Sequence, residues 1–216
     1  MHACEHARVP SLVDLLACAE EHVRHYLDPA SARAFAAYDV QGDPHVLLPA
    51  DILAPALLDA PVRGREVIAL QQPEGNYRIL WNALQAVLTH TDPDGDPFEE
   101  QDLSAQSGAW SLVCAALVAS DSAPGLKASK VTKILHRKRP GLVPIFDSRV
   151  AGFYGVSVRT PWHLWPLLKQ DVLAHRPWLE SLGAGHRTPD GRAVSVLRVL
   201  DMAVWEHSWG CTRAAR

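Results

Sequence analysis

Between Ala123 and Val150 the chain reads APGLKASKVTKILHRKRPGLVPIFDSRV, with Lys127, Lys130, Lys133, Arg137, Lys138 and Arg139 ahead of the first acidic residue, Asp147. The whole chain carries −3, so everything outside those six cations sums to −9. Cations on a helix can hold an anion, and the unsatisfied N–H groups at the helix start add to that attraction. Lys127 and Lys130 stand beside that start, where the helix dipole disfavours cations, so a negative partner there would relieve them. Lys130, Lys133 and Arg137 recur at helical spacing and form one stripe, with Ile134 and Leu135 on the core-facing side. After Arg139, Pro140 ends the helix and Pro144 stiffens the loop that delivers Asp147. The ordinary role of Asp147 is an N-cap. A capping carboxylate that points into a cleft can still do chemistry.

Other groupings of reactive residues point less far. Asp201 lies four residues after Leu197 and four before Trp205, hence on the apolar face of the last helix. A buried carboxylate must be paired or hydrogen-bonded, so the expectation is a structural ion pair, with a catalytic or ligand-facing acid as the alternative. His22 and His25 share a helix, but the local sequence offers no matching ligand, and both read as surface histidines. Asp92, Asp94, Asp96 and Glu99 resemble part of a calcium loop, yet Pro97 and Leu103 stand where an EF-hand needs Gly and Glu. That segment reads as a solvated acidic loop. No G-x-S-x-G, P-loop or G-x-G-x-x-G is present. Cys4, Cys18, Cys114 and Cys211 are scattered without a C-x-x-C pair and read as free thiols. No metal or cofactor is expected.

The elements that must position these groups are helical nearly throughout. Leu12, Leu15, Leu16, Ala19, Val23, Tyr26 and Leu27 form one stripe, with Ser11 and Asp14 placed as a capping pair. Asp28-Pro29 stops that helix and starts a second, Ala30 to Tyr38. Ala50 to Leu58 is a short helix capped by Asp51, and Arg65 to Leu70 fits either a strand or a helix. Tyr77 to Leu88, about Leu103 to Ser120, Ser129 to Arg139 and Asp147 to Tyr154 follow. Pro161 to Ala174 and Pro177 to Leu182 are shorter pieces, and the last helix runs from Arg192 to His207. The predicted fold is a single all-α domain over residues 1–216, of about eight to ten helices.

With 48% hydrophobic and 21% charged residues, the chain can bury a core and is not a disordered polyelectrolyte. Its acidity excludes indiscriminate coating of nucleic acid, so any such contact needs a local patch. No run is long enough to span a bilayer, and the N-terminus lacks a secretory pattern. The expected location is the cytoplasm, with no membrane partner.

Residues 123–150 resemble a diverged helix–hairpin–helix of the DNA-repair glycosylases, in which an L-P-G-V-G hairpin enters a helix and a Pro-rich loop ends in a catalytic Asp. Pro124, Gly125 and Leu126 stand at P-G-V, and Asp147 after Pro144 stands at the aspartate. Ser129 occupies the place where bifunctional members keep a nucleophilic Lys, which is compatible with a monofunctional enzyme. The chain departs from the pattern at Lys127, which replaces the second hairpin glycine, and at Ile145 and Phe146, two residues where one is common. KILHRKRPGLVPIFD, PADILAPALL and VSVLRVLDMAVW together resemble a family of uncharacterised actinobacterial proteins over most of the chain.

The first resemblance implies DNA contact and base excision. Asp147 would be catalytic, and Lys127, Ser129, Lys130, Lys133 and Arg137 would bind substrate. An extruded base would need an aromatic receiver; Trp162, Trp165, Phe153 and Tyr154 lie near in sequence, though core packing is their ordinary role. Two other classes compete: an enzyme acting on an anionic small molecule, and a non-catalytic binding module in which Asp147 only caps.

Overall fold

Apolar residues at three- and four-residue intervals fold as helices across the computed structural model, which describes residues 12–28, 30 and 35–207. These residues form eleven α-helical segments and no β-strand, so the chain is all-α. In order they are α1 (Leu12–Leu15), α2 (Ala19–Leu27), α3 (Phe35–Tyr38), α4 (Pro49–Leu53), α5 (Gly64–Gln71) and α6 (Gly75–His90). Then come α7 (Ala109–Ser122), α8 (Ala128–Lys138), α9 (Ser148–Phe153), α10 (Leu164–Gly183) and α11 (Val196–His207). A lone antiparallel bridge joins Arg187 to Ala193 across the Thr188–Gly191 turn.

Several elements differ from the sequence expectation for local reasons. The first helix is broken after Leu15, where i→i−3 bonds from Leu16 and Cys18 tighten the chain. Of the expected stripe, Leu12, Leu15, Ala19, Val23 and Tyr26 stay buried across the break, because both pieces pack on one core, whereas Leu16, at the break, is exposed and Leu27 is half-buried. Ser11, and the side chain of Asp14, lie outside the described residues, as do Pro29 and most of the start of the Ala30–Tyr38 helix. The Arg65–Leu70 ambiguity resolves as helix α5. The helix expected from Leu103 starts at Ala109 instead, after Gly108 at φ +94°.

The two pieces expected around Pro177 are one 20-residue helix, α10. Its buried residues Leu168, Val172, Leu179 and Gly183 continue on both sides of the proline and pack both halves on the core. Pro177 and Leu173 are both exposed, so water can satisfy the carbonyl that proline leaves unpaired.

One continuous apolar core links these elements. Close packing joins α6 to α7, α7 to α8, α2 to α11, and α10 to α11. Helix α11 is buried from Leu197 to Glu206, as expected for a helix apolar on nearly every side. Each large apolar side chain so buried contributes roughly 1.5–3 kcal/mol. No helix among the described residues is long and apolar enough to cross a membrane.

Candidate functional site

The cations of the α8 segment turn inward. Lys127, at the N-cap position, stays exposed and reaches back to the carbonyls of Ser120 and Asp121 near the end of α7. Those acceptors are the ones a helix C-terminus leaves open, so a cation suits them. Lys130 pairs with Glu66 at 3.1 Å, and Glu66 also accepts the Arg63 N–H at 3.0 Å. Burial works against the Glu66 charge, but the Arg63 amide and Lys130 outweigh it and hold the carboxyl below its ordinary pKa. At the hairpin tip Gly125 has φ +79°, and a Cβ there would stand 2.2 Å from Oε1 of Glu66. The negative partner that the sequence asks for at this helix start is therefore the protein's own carboxylate.

Arg137 pairs with Asp51 at 2.9 Å and reaches the carbonyls of Ala37 and Tyr38. Lys138 is buried against the same Asp51 at 2.8 Å. Arg139, fully buried, donates to the Thr91 hydroxyl, to the carbonyls of Leu88 and Thr91 at the end of α6, and to the Pro44 carbonyl in the chain before α4. The expected outward stripe of Lys130, Lys133 and Arg137 is thus not formed. Spacing shows which residues share a helix face, but not that segments from 51 to 66 bring carboxylates against it. Asp51 itself is one turn inside α4, where it accepts the Leu48 N–H at 2.8 Å, and is not the N-cap expected of it.

The inner face of α8 carries Ser129, Thr132, Lys133 and His136 at i, i+3, i+4, i+7, and it holds the loop that ends at Asp147. The Thr132 hydroxyl accepts the Phe146 N–H at 3.0 Å. His136 Nδ1 donates to the Val143 carbonyl at 2.7 Å, which makes Nε2 the bare nitrogen. Burial, with Arg198 nearby, pulls the His136 pKa down to about 3, so the ring is neutral. Lys133, 2% exposed, places its ammonium 2.8 Å from Asp147 Oδ2 and 3.2 Å from the Ser129 hydroxyl. The other oxygen of Asp147 accepts the Arg149 N–H at 2.9 Å, which caps α9. Capping and ion pairing use different oxygens, so Asp147 does both.

Asp147, Lys133 and Ile145 line a crevice together with Tyr26, Leu58, Asp201 and Trp205. It has room for about one water molecule, and comprises about 200 Å³ of empty space counted up to the surface. Trp205 meets Tyr26 edge-on at 5.7 Å and carries the Arg149 guanidinium over its ring at 5.1 Å. Asp201 accepts from Arg198 through Oδ2 at 2.5 Å, while its buried Oδ1 has no hydrogen-bond partner among the described residues. Arg198 is bound on its other side to Asp39 at 2.9 Å. Burial pushes the Asp201 pKa up to about 6; Arg198 opposes the rise and the Asp147 charge adds to it.

That shift has a signed consequence for stability. A carboxyl whose folded pKa lies above its unfolded value holds a proton in the folded state that the unfolded state releases. Its stabilisation is present below about pH 4 and is lost as pH rises through about 6. In thermal or denaturant melts from pH 4 to 7, the wild type is expected to lose up to about 3 kcal/mol relative to Asp201→Asn. The slope of the difference is the readout, because the altered bond to Arg198 adds only a constant offset. A pH-independent difference would show that Asp201 stays ionised throughout.

Of the residues singled out in the sequence, the fold brings together Ser129, Lys133 and Asp147. It sends Lys127, Lys130 and Arg137 to separate internal partners. Phe153, Tyr154 and Trp165 are core residues, and Trp162 is partly exposed away from the crevice lining. The aromatic walls are instead Tyr26 and Trp205, which sequence reasoning passed over. Thr132 and His136 were also missed, although their helical spacing from Ser129 and Lys133 was a usable signal.

Residues 19–208 match a family of unknown function, DUF6308, and the chain belongs to that family. No curated protein and no solved structure matches it.

Proposed function

We propose that the protein is a hydrolase in which Asp147 activates a water molecule and Asp201 supplies a proton, acting on an N-glycosidic bond. One observation carries the acid–base part: two carboxyls of opposite character line one crevice. Asp147 is charge-paired with Lys133, whereas Asp201 is buried with its pKa raised to about 6. A carboxylate held beside a cation, next to a carboxyl that burial drives toward its neutral form, suits the first to act as base and the second as acid. The crevice fits about a single water, so the scissile bond would lie at its mouth. Asp147 would take a proton from the water as its oxygen joins the sugar carbon. Asp201 would give a proton to the departing nitrogen, and the Asp147 carboxylate, held in place by Lys133, would face the positive charge growing on the sugar. The choice of an N-glycosidic bond comes from the resemblance of residues 123–150 to base-excision enzymes.

The observed charges favour a nucleoside or nucleotide over a duplex as substrate. A duplex needs a broad positive footprint, and of the six cations in this segment Lys127 alone is exposed. The test is release of free base, resolved by chromatography, from nucleosides, nucleotides and an oligonucleotide carrying deaminated or alkylated bases. The expected rate is highest near about pH 5–6 and falls above it as Asp201 loses its proton, and Asp201→Asn removes that dependence. Faster turnover of the oligonucleotide than of the nucleosides would restore DNA as the substrate. No release from any member of the panel would sink the hydrolase reading.

A further inference from the structure

Helix α2 presents Cys18 at its N-cap and His22 one turn on, at i and i+4, so both project from one face. Helix α11 packs against α2 and ends at His207. The Cys18 sulfur, one ring nitrogen of His22 and one of His207 all lie within 4.8 Å of one another. The Cys18 sulfur is 3.9 Å from His207 Nδ1, and the rings of His22 and His207 meet edge-on with centroids 5.8 Å apart. Bonds of about 2.3 Å to sulfur and about 2.0–2.1 Å to nitrogen place donors around a tetrahedral ion about 3.3–3.6 Å apart. Closing from the present spacing of at most 4.8 Å takes about an ångström of movement.

We infer that Cys18, His22 and His207 form a transition-metal site, with Zn²⁺ as the fitting ion and a fourth position left to water. One thiolate and two imidazoles are borderline-soft donors, which suit zinc and not the oxygen-seeking calcium or magnesium. The ion would tie the start of α2 to the end of α11. Tyr26 on α2 and Asp201 and Trp205 on α11 line the crevice, so by joining these two helices the metal would brace it without taking part in it. This site stands apart from the hydrolase reading, and neither depends on the other.

The test uses the full chain stripped by a chelator and titrated with Co²⁺, then with Zn²⁺. One Co²⁺ per chain is expected, with a near-ultraviolet thiolate-to-cobalt band that Zn²⁺ displaces, and zinc should raise the melting temperature. Cys18→Ser should abolish the band, and His207→Gln should weaken binding by at least about tenfold. Cys4→Ser and Cys211→Ser, both outside the described residues, should leave the band in place. A band that survives Cys18→Ser, or no band at all, overturns the site. Should Cys18→Ser fail to fold, zinc-edge X-ray absorption on the wild type decides the matter. One sulfur at about 2.3 Å with two imidazole nitrogens at about 2.0–2.1 Å supports the site, and a sulfur-free shell refutes it.

Discussion

Replacing Arg198 with methionine is expected to lower the unfolding free energy by about 3–5 kcal/mol. The guanidinium is buried between Asp39 at 2.9 Å and Asp201 at 2.5 Å, and it stacks over the rings of Tyr26 and Tyr38, each 5.0 Å from centroid. Burial opposes its charge, but Asp39 above all outweighs that and keeps the proton on. Methionine would fill the volume and remove the cation, leaving two buried carboxyls facing each other's field. Each could then be tolerated only as the neutral acid. The deficit should therefore be smaller near about pH 5 than near about pH 8, since protonation relieves it. Lysine is no remedy, because one ammonium cannot serve both carboxylates and two aromatic faces in the way a planar guanidinium does. Urea melts of the two variants at both pH values check this. A loss below about 1 kcal/mol would mean the network is solvated rather than buried.

Asp147→Asn is expected to reduce base release by about 10²–10⁴-fold. The same change leaves Lys133, 2% exposed, without its counter-charge, at a cost to stability of about 3 kcal/mol. The two effects can be separated. Adding Lys133→Met to Asp147→Asn removes the orphaned charge and puts an apolar side chain of similar length in its place. Stability should return by about 2–3 kcal/mol in the double variant, while base release stays lost. Recovery of activity together with stability would show that Asp147 serves the scaffold alone. The single Lys133→Met variant completes the cycle; its Asp147 keeps the Arg149 amide, so it should suffer less than Asp147→Asn.

Arg139 shows how a residue can be conspicuous in sequence and misleading in role. It closes a run of basic residues, yet it is wholly buried with its donors on the carbonyls of Leu88 and Thr91. Those carbonyls end α6 and have no partner within the helix. The charge in this segment is therefore largely structural: it joins α8 to α4, α5, α6 and the chain before α4.

Helicity, the inward stripe of α2, the buried character of α11, and the placement of Asp147 at a helix start were legible in the sequence. All follow from residues three or four apart, or from the preferences of a single position such as a cap, and physics at that range needs no knowledge of the rest of the chain. The same holds for Ser129 and Lys133, which one turn of helix brings together.

What faces α8 was decided by the tertiary structure alone. Lys130 meets Glu66 across 64 residues, Arg137 meets Asp51 across 86, and Arg198 meets Asp39 across 159. A charged helix presents the same pattern whether a phosphate or the protein's own carboxylate lies opposite. Only packing at long sequence separation distinguishes the two, because burial makes an unpaired charge intolerable and so selects its partner from any part of the chain. The joining of Asp147 to Asp201, and of Cys18 and His22 to His207, has the same origin: α9 and α2 both pack against α11, and the polar residues beside the apolar faces are carried together.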